Sequence, residues 1–449
     1  MRIISNMNGT VRSYIGPQHC KPGDEFVRSP YIRIVEIDDG ILVYNVLTGE
    51  IILTTYDEFN NPDKNLKDYL KKNWYYLPQS MNPKSIAYMF RQTLFTRYNP
   101  QNSISNSGYV ILTTTACNAR CYYCYEAGYR QRPMSDKVAL DAAKYIAQNS
   151  TGNTHISWFG GEPLCNPNAI RIITKHLKDN GINFTSSMIS NGYLFNEFSI
   201  EEIKDFWNIQ NVQITLDGTK DVYLMSKNYR NEDPNAFERV LDNIELLLKN
   251  DIRVSIRMNV SIKNGDDLVN LVDSLYERFS KYEKFQAYPN ELFIGEGDPP
   301  LELTEDEMHL LYDNVEKVFD RLDKYDIRYR DYELNAYQYH HCMADTGRCG
   351  VITPEGNLTP CEHYVDTEIC GNIYDGVYDY DNLETWKELV HHKPECAECF
   401  FYPRCVRLKK CPTDGYCAEP QRKMVAYKVD RKMKRIYRKQ LEQKEFERK

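Results

Sequence analysis

The distribution of cysteines constrains this 449-residue chain more than any other feature of the sequence. Of its 14 cysteines, three lie within residues 117–124, none lies between residues 165 and 342, and nine lie within residues 342–417. Residues 1–9 hold one basic residue, no continuous apolar stretch and no small-residue cleavage site, which predicts a cytoplasmic protein. Because cytoplasmic thiols stay reduced, both groups of cysteines indicate metal or iron–sulfur ligation rather than disulfides, and Cys20 and Cys165 belong to neither group.

The composition predicts a globular protein without membrane spans. The chain is 42% hydrophobic and 27% charged, and no apolar run approaches membrane-spanning length. Residues 421–449 carry 12 basic against 4 acidic residues, a net charge of +8, and the rest carries 44 against 60, or −16. Such a tail could bind RNA, but its interspersed acidic residues favour a solvated basic helix, near residues 423–444, that caps the body. We therefore expect no nucleic-acid role.

The first region, residues 1–104, has the pattern of a small α+β domain. Residues 31–37 and 41–46 are β-branched runs joined by an Asp-Asp-Gly turn, which predicts a hairpin, and residues 51–55 predict a third strand. Helical patterns follow at residues 66–77 and 83–95. A sheet of this kind can bind an extended peptide at an open edge, or it can cover the next domain, and the pattern alone leaves both alternatives open.

The second region, residues 105–300, alternates strands with helices and predicts an α/β fold. The predicted strands are at residues 109–113, 155–159, 184–189, 212–215 and 254–260, and the clearest helices are at residues 135–148, 168–178 and 235–249. This alternation predicts a partial (β/α)6 TIM-type barrel with its chemistry at the carboxyl ends of the strands. A helical bridge is expected at residues 301–341.

A three-cysteine loop directly follows the first strand of this region. Cys117, Cys121 and Cys124 have the spacing C-x3-C-x2-C. Three thiolates this close can bind three irons of a 4Fe-4S cluster and leave one iron open to another ligand. The alternative is a zinc site with a distant fourth ligand, such as His155 or His176, although zinc sites usually use paired spacings.

A second motif, Gly160-Gly161-Glu162-Pro163, follows the strand at residues 155–159. The glycines allow close backbone approach to a ligand, the carboxylate can accept bonds from an amino group, and the proline fixes the turn. Together with the cysteine loop, this motif resembles the radical S-adenosylmethionine (radical SAM) enzymes. The resemblance implies that SAM chelates the open iron and is cleaved reductively to a radical that abstracts a hydrogen atom from the substrate.

The resemblance also implies where SAM is bound. Its implied contacts are Tyr123, Gly160, Gly161, Glu162, Ser190, Asn191, Asp217 and Arg257. The three residues of the Gly-Gly-Glu motif would receive the methionine amino group, and Arg257 would pair with the methionine carboxylate. A turn-stabilising role for Asp217 remains equally open.

The third region, residues 342–420, contains enough motif cysteines for two further 4Fe-4S clusters, with zinc ribbons as the alternative. Residues 353–357 predict a hairpin turn that brings Cys349 and Cys361 together. The spacing resembles the SPASM extension of radical SAM enzymes, which holds two auxiliary clusters. The resemblance assigns the first cluster to Cys342, Cys349, Cys361 and Cys411, and the second to Cys396, Cys399, Cys405 and Cys417. The spacer between Cys405 and Cys411 is longer than in relatives, so Cys370 is an alternative ligand.

Residues 44–50 resemble the N-terminal portion of radical SAM-SPASM enzymes that modify ribosomally made peptides. The resemblance implies a maturase with SAM and three 4Fe-4S clusters, a precursor peptide whose leader binds the N-terminal domain, and flavodoxin or ferredoxin as external reductant. The expected product is a thioether cross-link, of the sactipeptide or ranthipeptide type, with a carbon–carbon bond as second choice. Two alternatives are an anaerobic sulfatase-maturating enzyme that forms formylglycine and a non-catalytic iron–sulfur or zinc scaffold.

Overall fold

The structure is a computed structural model. It describes residues 1–6, 23, 25–98, 108–150, 152–292, 303–329, 334, 342–389, 394–411 and 419–447. Cys20 and Cys417 lie outside these residues, so the predictions made for them stay predictions. No helix among the described residues combines the length and the apolar character that a membrane span requires.

The N-terminal region forms two small antiparallel sheets. The larger has the order β1-β5-β4-β3, and the smaller pairs β2 with β6. The strands are β1 (Arg2–Ser5), β2 (Phe26–Arg28), β3 (Ile32–Ile37), β4 (Gly40–Asn45), β5 (Ile51–Thr54) and β6 (Tyr76–Pro78). The predicted hairpin is confirmed as β3 and β4, and Gly40 is required in it because a Cβ there would lie 2.5 Å from the Thr54 carbonyl oxygen.

Three helices follow these strands: α1 (Tyr56–Asn60), α2 (Lys64–Lys72) and α3 (Pro83–Tyr98). The helix predicted over residues 66–77 is confirmed for residues 66–72, and the prediction was wrong beyond Lys72. The helix ends at Lys72, Asn73 caps it, and Trp74 adopts a positive φ of 65°, which turns the chain out of the helix. The apolar run that follows then pairs with β2 as a strand, so tertiary pairing overrides the helical pattern.

The central sheet confirms the predicted parallel α/β architecture. Its six parallel strands are neighbours in chain order, from β7 to β12. They are β7 (Gly108–Thr114), β8 (Thr154–Gly160), β9 (Phe184–Ser190), β10 (Ile209–Thr215), β11 (Arg253–Val260) and β12 (Phe285–Glu291). The helices are α4 (Asp136–Asn149), α5 (Pro167–Asp179), α6 (Lys220–Lys227), α7 (Ala236–Lys249), α8 (Gly265–Phe279) and α9 (Glu305–Lys324). All six strands point the same way, so their carboxyl ends meet at one edge.

The two faces of this sheet differ in polarity. Val212 and Ile214 of β10, and Val254 and Ile256 of β11, are fully buried in the core shared with α4 to α8. The residues between them, such as Gln213 and Ser255, point to the opposite side because side chains alternate along a strand. We call that side the polar face of the sheet.

The cysteine-rich region continues the sheet beyond β7. Its elements are β13 (Val351–Ile352), β14 (Asn357–Thr359), β15 (Gly371–Asn372), β16 (Gly376–Val377) and α10 (Tyr380–Thr385). Strand β13 runs parallel to β7 and pairs with β14 in an antiparallel hairpin. The hairpin turn predicted at residues 353–357 is therefore confirmed.

The C-terminal helix α11 (Glu419–Glu447) packs across the molecule. One face buries Val429, Met433 and Tyr437 in the core of the N-terminal sheet. Five of its described cations pair with acidic residues of α9: Lys423 with Glu305, Arg431 with Asp313, Arg435 with Glu316, Arg438 with Asp320, and Lys439 with Asp323. The predicted basic helix is thus confirmed as a cap, and α9 supplies much of its counter-charge.

Candidate active site

The three-cysteine loop lies at the carboxyl edge of the sheet, just after β7. Within it, the Cys124 amide donates to the Cys121 carbonyl at 3.1 Å, and the Ala119 amide donates to the Cys117 sulfur at 3.4 Å. Two further backbone bonds tie the loop to the end of α6, from Arg120 to the Lys227 carbonyl at 2.9 Å and from Arg230 to the Asn118 carbonyl at 2.8 Å. The loop is therefore held on two sides by the protein itself.

The two glycines predicted as ligand contacts pass directly against this loop. The Gly161 amide donates to the Thr114 carbonyl at 3.0 Å. A Cβ on Gly160 would lie 2.1 Å from the Thr114 oxygen, and one on Gly161 would lie 2.6 Å from the Ala116 oxygen. Both positions therefore require glycine because the backbone passes so close. The group that the two glycines approach is the protein backbone that leads into the cysteine loop, not a ligand.

Glu162 fastens the Gly-Gly-Glu-Pro turn to the end of β9. Its carboxylate is fully buried and accepts bonds from the Ser190 hydroxyl at 2.9 Å, the Asn191 amide at 2.8 Å and the Leu164 amide at 3.2 Å. Burial raises the pKa of Glu162 to about 7. The structure thus brings together Glu162, Ser190 and Asn191, which were predicted as contacts to SAM. In the structure these residues hydrogen-bond to one another. The Asn191 side chain also donates to Asn118 in the cysteine loop, at 2.6 Å.

A second buried network surrounds Asp217 at the carboxyl end of β10. The Asp217 carboxylate accepts bonds from the Tyr123 hydroxyl at 2.7 Å and from the Asn259 amide at 2.9 Å, and it pairs with the Lys227 ammonium at 3.1 Å. Lys227 also donates to the Tyr123 oxygen at 2.8 Å. The side chains of Lys227 and Asp217 are only 3% and 4% exposed. Arg257 extends the network through a 3.1 Å bond to Asn259.

Lys227 is the member of this buried network that was not predicted from the sequence. Burial opposes its charge, yet Asp217, Tyr123 and Cys121 together hold the pKa of Lys227 well above its usual value. No motif singles it out, because it occupies the last turn of a short helix 10 residues after Asp217. Only the fold places this buried ammonium group beside the cysteine loop, where it contacts Tyr123.

The chemistry of the three cysteines fits an iron–sulfur cluster. Burial raises the pKa of Cys117 and raises that of Cys124 to about 11, so both favour the neutral thiol when no cation is bound. A bound metal reverses that preference, because coordination stabilises the thiolate. Three thiols in one short loop, with their surroundings already fixed, are a donor set suited to such a cluster.

The zinc alternative with a histidine ligand does not fit the topology. His155 pairs in register with Gly108, the first residue of β7, whereas the cysteine loop follows the last residue of that strand. The His155 ring bonds instead to Thr185 at 3.0 Å and Ser187 at 2.9 Å. His176 lies in the last turn of α5, a helix that begins just beyond the carboxyl end of β8, so neither histidine is beside the loop.

The cysteines of the C-terminal region fall into separate sets. Cys342, Cys361 and Cys411 lie near one another. Burial is the main cause that raises the pKa of Cys361, followed by the charge of Glu362 and then by Cys342 and Cys411. The Cys349 thiol instead donates a hydrogen bond to Cys370, and both residues are buried. Cys396, Cys399 and Cys405 lie on consecutive short turns. The hairpin forms as predicted, and Cys370 joins the thiols near it.

Comparison with known proteins places the barrel in a family. Residues 111–275 match the model of the radical SAM superfamily. An AdoMet-dependent heme synthase of Methanosarcina barkeri is 23% identical over 333 residues, which cover 68% of this chain and 90% of that protein.

Two solved structures share the fold. The first, native anSMEcpe with bound AdoMet and Kp18Cys peptide, has a TM-score of 0.54 at 18% identity and covers 74% of this chain and 99% of its own. The second, Streptococcus suis SuiB bound to S-adenosylmethionine, has a TM-score of 0.50 at 14% identity and covers 88% of this chain and 99% of its own. The chain therefore contains a radical SAM domain at residues 111–275, and the two solved structures share its fold.

Proposed function

We propose that this protein is a maturase that cross-links a ribosomally made precursor peptide. The observation that carries the proposal is the arrangement of three parts in one chain. The three-cysteine loop lies at the carboxyl edge of the radical SAM domain, strands of the cysteine-rich region continue the same sheet, and an antiparallel sheet precedes the barrel. The likeness to a structure solved with AdoMet and a peptide supports a peptide as the substrate.

In this proposal Cys117, Cys121 and Cys124 hold the catalytic cluster. When bound there, SAM would supply the one-electron chemistry that removes a hydrogen atom from the substrate. The chain's own residues keep this site in place: Glu162 ties β8 and β9 to the cysteine loop through Asn191, and Lys227 ties α6 to it. Gly160, Gly161 and Arg257 remain our candidates for contacts to the methionine moiety.

The second group of cysteines would return the substrate's electron to an external acceptor. We assign one auxiliary cluster to the set of Cys342, Cys361 and Cys411, with Cys349 as fourth ligand and Cys370 as the alternative. We assign the other to Cys396, Cys399, Cys405 and Cys417. Flavodoxin or ferredoxin in the cytoplasm would deliver the electron that starts the reaction.

The N-terminal sheet would bind the leader of the precursor. Within the described residues, β1 and β3 each have a single neighbouring strand, so the sheet has two edges at which a peptide strand can add. Of the six residues of β3, four are half-buried, Glu36 is exposed and only Val35 is buried. The Arg33 side chain of this strand is fixed by a bidentate pair with Asp430 of α11, which holds the edge strand against the body.

The proposal is tested by offering two kinds of peptide to the anaerobically reconstituted enzyme with SAM and dithionite. One is a short cysteine-containing peptide encoded beside the gene, and the other is a peptide containing a sulfatase maturation site. We expect the first to lose two hydrogen atoms and to yield a thioether in fragmentation spectra. An aldehyde on the sulfatase peptide would favour formylglycine formation instead, and no SAM-dependent mass change in either would contradict the proposal.

A further inference from the structure

The ammonium group of Lys227 is buried and is held in place by its neighbours. Its side chain is only 3% exposed, and Nζ pairs with the Asp217 carboxylate at 3.1 Å and donates to the Tyr123 hydroxyl oxygen at 2.8 Å. Nζ also lies over two aromatic rings, 5.4 Å from the centroid of Tyr123 and 5.9 Å from that of Tyr223, which is fully buried. Because a charge is costly to bury, it requires partners of this kind. The fold therefore fixes where this charge lies.

The fixed charge lies beside the cysteine loop. Tyr123, which accepts the hydrogen bond from Lys227, lies between Cys121 and Cys124 in the sequence. The backbone makes a second connection, because the Lys227 carbonyl accepts a hydrogen bond from the Arg120 amide at 2.9 Å. Both ends of the lysine residue are thus attached to the loop that carries the three thiols.

The electrostatics of the loop agree with this geometry. Burial opposes the charge of Lys227, and Asp217 is the largest of the effects that offset it. Cys121 is among the smaller ones, and together they hold the pKa of the ammonium well above its usual value. At Cys124 burial is the main cause that raises the pKa to about 11, and Lys227 acts in the opposite direction. Lys227 is therefore close enough to stabilise negative charge on the sulfur atoms of the loop.

A cluster in this loop would itself be negatively charged. Three thiolates outweigh the positive charge of an oxidised 4Fe-4S core, and one added electron makes the whole more negative. A fixed cation nearby stabilises the reduced form more than the oxidised form, so it raises the reduction potential, and a fixed anion lowers it. The effect is larger in the protein interior than in water, because the interior screens charges less.

We propose that the buried charge of Lys227 raises the reduction potential of the cluster held by the cysteine loop. Asp217 has the opposite effect and limits the rise. Lys227 is thus a positioning residue that acts through its charge, and it favours the step in which the external reductant loses one electron and the cluster gains it. This proposal rests on the proposed function, because it takes the three thiols of the loop to hold a 4Fe-4S cluster.

The test is an anaerobic redox titration of the reconstituted protein, followed by electron paramagnetic resonance. To isolate one signal, every protein in the series carries Cys361→Ala and Cys399→Ala. Lys227→Met should lower the equilibrium constant for one-electron reduction by about tenfold, which is a shift of about 59 mV. Asp217→Asn removes the opposing charge and should shift the potential in the opposite direction. Lys227→Arg keeps the charge, and its equilibrium constant should stay within about twofold of the parent protein.

Two results would overturn the proposal. One is an unchanged potential in Lys227→Met, and the other is a shift of the same sign in Lys227→Met and Asp217→Asn, since disturbed packing has no reason to follow the sign of the charge removed. If Lys227→Met does not fold, the double variant with Asp217→Asn replaces it. Its potential should lie below that of Asp217→Asn alone, and equal potentials would overturn the proposal.

The proposed function is judged separately from this series. A parent protein that shows no signal of a reduced cluster would defeat the cluster assignment and this proposal with it. A normal signal whose potential does not respond to the two charges would defeat this proposal alone. Modification of a precursor peptide, measured by its mass change, tests the maturase whatever the potential is.

Discussion

The two groups of cysteines in this molecule are positioned in different ways. Cys117, Cys121 and Cys124 share one loop, and side chains from β9 and α6 bond to that loop on both sides. The C-terminal cysteines come from several short turns, and their thiols form separate sets. From this difference we predict that the barrel loop keeps its conformation without metal, whereas the C-terminal turns become more ordered when metal binds.

The largest effect is expected at the barrel loop. Replacing Cys121 with Ala removes one of three ligands and should abolish formation of 5'-deoxyadenosine from SAM under dithionite, with a loss of about four iron atoms per chain. Iron analysis and chromatography of the reaction mixture measure both quantities. Cys165→Ala is the matched control, since this thiol lies outside the loop, and it should keep full SAM cleavage. Persistent cleavage by Cys121→Ala would mean that the cluster is elsewhere.

The buried pair beside the loop should have the largest effect on stability. Lys227→Met leaves the Asp217 carboxylate buried without its cation, which should lower the free energy of unfolding by about 3–5 kcal/mol. The double variant Lys227→Met with Asp217→Asn removes both charges and should recover much of that loss. Urea denaturation of the three proteins provides the comparison. If the double variant is no more stable than Lys227→Met, the buried charge is not the cause.

The C-terminal thiols provide a sharper test of the comparison. Cys361→Ala removes a member of the set formed with Cys342 and Cys411, so we expect a loss of about four iron atoms. Cys370→Ala removes only the hydrogen-bond partner of Cys349 and should retain iron close to the wild-type value. Iron and sulfide analysis after anaerobic reconstitution distinguishes them. Equal iron loss in both variants would make Cys370 a ligand and Cys349 a structural thiol.

The smallest effect is expected from His155 of β8, whose ring bonds to Thr185 and Ser187. Burial lowers the pKa of its imidazole in the folded state, so the unfolded chain takes up a proton first as the pH falls through about 6.5. Wild-type stability should therefore fall slightly more between about pH 7 and pH 5 than that of His155→Gln. Thermal unfolding across that range measures the difference. If the substitution leaves the pH dependence of stability unchanged, the pKa of His155 is not lowered by folding.

The parts of the fold with local signals could be predicted from the sequence. The alternation of strands and helices located β7 to β11, whereas no strand was predicted at the position of β12. The spacing of the two motifs placed Cys117 and Gly160 at neighbouring loops because each motif follows a strand. The helix over residues 66–77 failed because pairing with β2 decided the conformation of its second half. Lys227 could not be found, since its partner Tyr123 is 104 residues away and the contact leaves no pattern in either segment.

The central claim is that the cluster held by Cys117, Cys121 and Cys124 keeps one iron open to SAM. Electron paramagnetic resonance of the dithionite-reduced protein, recorded with and without SAM, tests it most directly. To isolate the signal, the measurement uses a variant in which Cys361 and Cys399 are replaced by Ala. We predict that SAM changes the g values of the remaining cluster. An unchanged spectrum in a sample with about four iron atoms per chain would contradict the account.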